Sequence, residues 1–109
     1  MTENRRFPRL YRRFILRAAA FGENPLRWSF VTIHNLSPSG IFFTYDRPVY
    51  VGMMLHFKID FPDRVIECMG RVVRAGSSRN VPQDIAARLE GVDPQEQQYI
   101  ESFVRQSLP

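Results

Sequence analysis

Two short groups of residues in this chain carry side chains suited to holding a flat, anionic ligand. The first is Asn35-Leu36-Ser37-Pro38-Ser39-Gly40, a polar corner between the apolar runs 30–33 and 41–43. An amide offers donors and an acceptor, a hydroxyl offers either, and a glycine lets another group come close to the backbone. The same residue types also make an ordinary turn, because Pro fixes φ, Gly tolerates positive φ, and Asn or Ser bonds nearby backbone. The second group is Arg5-Arg6-Phe7-Pro8-Arg9, in which Arg5 and Arg9 have an R-x-x-x-R spacing. A guanidinium fork can bind a phosphate or a guanine edge through two parallel hydrogen bonds, and it can stack on a base. Arg9 and Arg13 share that spacing, so two frames are open. The frame Arg5/Arg9 is preferred, since Arg13 abuts the apolar run that starts at Phe14 and would be fixed by it.

The charge is distributed in the same way. The chain carries a net +4, yet up to Arg27 there are seven arginines against Glu3 and Glu23, an excess of five positive charges. The remainder has eight basic against nine acidic residues, so all of the excess is N-terminal. Lys58 is the only lysine, and a merely solubilising tail has no need of that preference for arginine. A basic arm that binds nucleic acid or an anionic surface without specificity would have the same composition.

Other chemistry is sparse. Cys68 is the only cysteine, so it forms no disulfide within the chain, and it has no partners at metal-ligand spacing. It reads as a core thiol. His34 and His56 are the only histidines, and strand alternation puts His56 on a wet face. No GxSxG elbow, P-loop or paired-carboxylate pocket is visible, and Asp60 and Asp63 flank Pro62, where a turn uses Asp structurally. An enzyme is the least favoured class, and neither a metal nor a cofactor is expected.

These groups must be positioned by one compact domain, for which 109 residues with 44% apolar composition are sufficient. No apolar run reaches the roughly 18 residues of a membrane span, and the N-terminus lacks signal-peptide features, so a cytoplasmic protein is expected. Residues 1–12 read as a flexible basic arm and residues 13–109 as the folded part. The arm has Pro8 and little apolar periodicity. Strands are expected over 13–21, 26–36, 40–45, 53–61, 65–75 and 83–89. The clearest is 53–61, where Met53, Leu55, Phe57, Ile59 and Phe61 alternate with polar or flexible residues. In the next, Ile66, Cys68, Gly70 and Val72 share a face, and Gly70 marks a bulge or a close strand crossing. Asp93-Pro94-Gln95-Glu96 has the N-cap, first-turn Pro and N3 Glu of a helix start. That helix runs to about Ser107, with Tyr99, Ile100, Phe103 and Val104 as its core stripe. Six short strands followed by one helix suggest a mainly β fold class, and the periodicity permits a small six-stranded antiparallel barrel closed on one side by that C-terminal helix.

Together the two polar groups resemble the paired signature of PilZ domains, RxxxR followed by (D/N)xSxxG, and the likeness extends over most of the chain. It departs from the family near the last strand, where a Gly-x-x-Phe pattern is replaced by Ala86-Ala87-Arg88-Leu89. The resemblance implies the barrel-and-helix fold and a receptor for cyclic di-GMP, a bacterial second messenger. It places the nucleotide on Arg5, Arg6 and Arg9 and on Asn35, Ser37 and Gly40, with the arm ordering over the corner. It also implies an unidentified downstream protein, since a receptor of this size must act through something else. The alternatives are a small basic barrel that binds nucleic acid, and an interaction module that binds no nucleotide. Nucleic acid is disfavoured by basic residues concentrated in the arm and strand aromatics expected to point mostly inward.

Overall fold

The computed structural model describes residues 14–76 and 81–107. The basic arm, with Arg5, Arg6 and Arg9, lies outside the described residues, as does Arg13. Six strands follow in order, β1 (Ile15–Ala20), β2 (Ser29–Leu36), β3 (Gly40–Tyr45), β4 (Met54–Phe61), β5 (Arg64–Ala75) and β6 (Gln83–Glu90), and then helix α1 (Pro94–Ser107). Every neighbouring pair is antiparallel, and the sheet closes into a barrel in the order β1-β2-β3-β6-β5-β4. The expected fold class is the observed one. Closure leaves no unpaired edge among these strands, the usual difficulty of an all-β domain.

The core is the inward half of each alternation. Leu55, Phe57, Ile59 and Phe61 of β4 are buried, as are Ile41, Phe43 and Tyr45 of β3 and Ile66, Cys68 and Val72 of β5. A Cβ at Gly70 would run into the Phe57 ring, so this glycine serves a close crossing of β4 and β5. The irregularity in β5 lies elsewhere, between Val72 and Arg74. Among the described residues Gln83 is the buried polar one, and both halves of its amide are satisfied. Its Oε1 accepts from the Val49 N–H at 2.9 Å, and its Nε2 donates to the Gly76 carbonyl at 2.9 Å.

Helix α1 starts as its sequence indicates: the Glu96 N–H donates to Asp93 Oδ1 at 2.8 Å. Ile100 and Phe103 are buried, with Tyr99 and Val104 packed beside them on the barrel core. Phe61 meets Phe103 and Tyr99 at ring-centroid distances of 4.8 and 5.1 Å, which fixes the helix over the β4–β5 turn. The Tyr99 hydroxyl also donates to Asp63 in that turn, and Arg64 lies 4.2 Å over the Tyr99 ring.

One expectation is only partly met. Phe21 and Phe30 are 60% and 73% exposed rather than inward, and Trp28 lies 4.7 Å beneath the Lys58 ammonium. Phe30 stands across from Arg17 on β1, whose neighbours Leu16 and Ala18 are buried. Register therefore turns Phe30 outward, and residue type does not decide its face.

Candidate functional site

The polar corner is a tight hairpin whose loop is Pro38-Ser39. The Ser37 N–H donates to the Gly40 carbonyl at 2.9 Å, and the Gly40 N–H returns to the Ser37 carbonyl at 3.3 Å. The same Gly40 N–H lies 3.2 Å from Ser37 Oγ, which is also 3.3 Å from the Gly40 carbonyl and from Ser39 Oγ. The Ser37 hydroxyl is thus a clip within the hairpin. A second tie holds the loop to the next strand, from the Leu89 N–H to the Ser39 carbonyl at 2.9 Å. Gly40 does not need a left-handed φ here, as the positive-φ glycines are Gly22, Gly52 and Gly91. Its requirement is space: a Cβ would sit 2.9 Å from the Ala87 carbonyl oxygen of β6.

Cross-strand register then arranges the outer wall in rows. Asn35 stands across from Phe42, Phe42 across from Ala86, and Ala86 across from Arg74. Beside it runs Ser37, paired with Gly40 through the hairpin bonds, then Arg88 and Arg71. Asn35, Ser37 and Gly40 are therefore brought together on one outward corner. The Asn35 side chain is exposed and makes no hydrogen bond among the described residues.

Both rows depend on strand irregularities that local patterning did not suggest. In β2 the register shifts between Ile33 and Asn35, and His34 is the extra residue. Its Nε2 lies 2.6 Å from Thr44 Oγ1, which donates to Asp84 Oδ1 at 2.8 Å, so a polar chain crosses β2, β3 and β6. Because a carboxylate only accepts, the Thr44 proton points at Asp84 and His34 is the donor to Thr44. In β5 the shift lies between Val72 and Arg74, with Val73 as the extra residue.

Three arginines that both sequence groups omit, Arg71, Arg74 and Arg88, stand on this wall. Arg88 Nη2 is 3.4 Å from Glu90 Oε2, while Arg71 Nε approaches the same oxygen more closely, at 3.1 Å. The hydrogen bond from Arg71, with Arg88 adding to it, holds the Glu90 carboxyl below the usual carboxylate range. Arg74 is exposed and has no ion pair or hydrogen bond among the described residues. No local sequence signal marks Arg74 and Arg88 as neighbours of the corner, because the pairing of β3, β6 and β5 is non-local. Among the described residues no group of three or more His, Cys, Asp or Glu is placed to hold a metal ion.

A closed small barrel that turns a polar corner and a set of arginines outward has the form of a binding module. The sequence matches the PilZ domain family over residues 3–106, and the chain belongs to that family. Its fold is also similar to that of the Bacillus subtilis inhibitor of motility MotI/DgrA, with a TM-score of 0.69 at 16% identity. The likeness covers 85% of this chain and 46% of that one, so this chain spans less than half the length of MotI/DgrA. At that identity the likeness concerns the fold alone. No curated protein matches the sequence.

Proposed function

We propose that this chain is a cyclic di-GMP receptor that binds the dinucleotide between the outward corner Asn35, Ser37 and Gly40 and the arginines Arg5, Arg6 and Arg9. The observation that carries this reading is the placement of those three corner residues side by side on the outer wall of a PilZ-family barrel. Guanine offers O6 and N7 as adjacent acceptors to a guanidinium fork, and phosphates take charge-assisted hydrogen bonds from the same groups. The Asn35 amide, which has no hydrogen-bond partner among the described residues, would read a base edge. The arm closes over the corner when the ligand binds, and the ordered arm then presents a new surface to a downstream protein. The chain acts as a non-catalytic adaptor in the cytoplasm, without a cofactor. Among the described residues no helix is long and apolar enough to cross a membrane.

Calorimetric titration with cyclic di-GMP, cyclic di-AMP and GTP at low and moderate salt tests this. Adenine presents a donor where guanine has O6, a mismatch of about 1 to 3 kcal/mol per base. A preference for cyclic di-GMP of roughly a hundredfold or more is expected if both bases are read. Arg5→Ala and Arg9→Ala should each weaken binding by about tenfold or more, and a larger loss at Arg13→Ala would select the other frame. Equal affinities for the two cyclic dinucleotides, collapsing together as salt rises, would replace this reading with nonspecific polyanion binding.

A further inference from the structure

We infer that Arg74 and Arg88 form the far wall of the nucleotide site and bind the ligand's phosphates opposite Asn35 and Ser37. This rests on the cyclic di-GMP reading and adds to it two residues, on β5 and β6, that belong to neither sequence motif.

The first support is the pair of bulges. From Ile33 across Phe43, an uninterrupted β2 would set His34 across from Phe42; the extra residue puts Asn35 there instead. From Val72 across Ala87, an uninterrupted β5 would set Val73 across from Ala86; the extra residue puts Arg74 there. Both irregularities thus act on one row, Asn35-Phe42-Ala86-Arg74, and each places a polar or cationic side chain at its end. Re-aiming a side chain is what bulges beside binding sites do.

The second support is shape. Gly40 lies between Ser37 and Arg88, so the floor of that row carries no side chain, and in the neighbouring row Ala86 leaves only a methyl group beside Arg74, with Phe42 between it and Asn35. Two strand spacings separate Ser37 from Arg88, about 10 Å. An extended guanidinium crosses that gap only in part, and the remainder is open to a ligand.

The third support is charge. Arg71, Arg88 and Glu90 together hold one excess positive charge, and Glu90 sits closer to Arg71 than to Arg88. Arg88 can turn from Glu90 to a phosphate while the carboxylate keeps its better partner. Arg74 has no ionic partner to leave among the described residues.

The test is calorimetric titration of cyclic di-GMP into the full chain and into Arg74→Ala, Arg88→Ala, Arg88→Lys and Arg27→Ala, with melting curves for each. Arg27 precedes β2, at the end remote from the corner, and controls for loss of net charge. Arg74→Ala and Arg88→Ala should each weaken binding by about tenfold or more at unchanged melting temperature. Arg88→Lys, which keeps charge but loses the fork, should lie between Arg88→Ala and the unaltered chain, and Arg27→Ala should stay within about twofold of the latter. If the unaltered chain binds and both alanine variants match it, or if Arg27→Ala loses as much as they do, this inference is overturned while the receptor reading stands. If the unaltered chain binds no cyclic di-GMP, the receptor reading fails and takes this inference with it.

Discussion

Ser37 and Asn35 belong to one motif, yet their side chains are engaged differently. The Ser37 hydroxyl lies 3.2 Å from the Gly40 N–H and 3.3 Å from the Gly40 carbonyl, so it helps to hold the hairpin that displays the site. Asn35 has no such engagement among the described residues. Removing a hydrogen-bonding side chain from a folded protein costs about 1 kcal/mol, whereas truncating an exposed amide without partners leaves the fold as it was. Ser37→Ala should therefore lower the melting temperature and the affinity together. Asn35→Ala should lower the affinity for cyclic di-GMP by about tenfold with no change in melting temperature. Melting curves and titrations on the two variants check this split, and wild-type affinity in Asn35→Ala would remove the amide from the site. Gly40 is constrained by its neighbour strand whether or not a ligand binds, since a Cβ there meets the Ala87 carbonyl at 2.9 Å.

Strands β4 and β5 show how much of this fold local sequence carries. Leu55, Phe57, Ile59 and Phe61 alternate in the sequence and are buried in the structure, and β3 has the bounds its apolar run indicates. Period-two alternation is a property of one strand, so it survives without knowledge of the partners. Register does not. The bulges at His34 and Val73 decide which side chains join the outer rows, and their trace in the sequence is slight. Inward residues Ile33 and Leu36, like Val72 and Ala75, are three apart where a regular strand would have two. The corner itself was legible because its residues are contiguous. Arg74 and Arg88 were not, because only strand pairing brings them to it. Gly70 offers an element-scale test of the core. Gly70→Ala would drive a methyl into the Phe57 ring, and overpacking of this kind costs about 1 to 3 kcal/mol. Denaturant melts should show that loss, with part of it recovered in Gly70→Ala/Phe57→Leu, which a double-mutant cycle reads as coupling. Equal losses from Gly70→Ala in the unaltered chain and in the Phe57→Leu background would mean that the ring is not what excludes the methyl.

At the scale of the whole molecule the closed barrel links the core thiol to the outer wall proposed to bind the nucleotide. Cys68 faces inward on β5, and burial, with the Glu96 charge adding to it, pushes its thiol up to about 12. An unfolded thiol ionises near 8.5, so as pH rises from about 8.5 towards 12 the unfolded chain loses its proton first. The contribution of this group to stability is complete below about pH 8.5 and declines above it. Near pH 8 the folded protein has almost no thiolate, and a disulfide reagent such as DTNB reacts mainly through molecules that have opened the barrel. Because the described strands close without an edge to peel, that opening is expected to be global unfolding. A ligand that binds only the folded chain reduces the open population by the factor 1 + [L]/Kd. At a hundred times Kd, cyclic di-GMP should therefore slow labelling of Cys68 about a hundredfold, equivalent to about 2.7 kcal/mol. Cyclic di-AMP at the same concentration, bound about a hundredfold more weakly or worse, should slow labelling by no more than about twofold. If calorimetry shows binding and the labelling rate does not respond, Cys68 is being reached by a local parting of β4 and β5, and the barrel does not open as one unit.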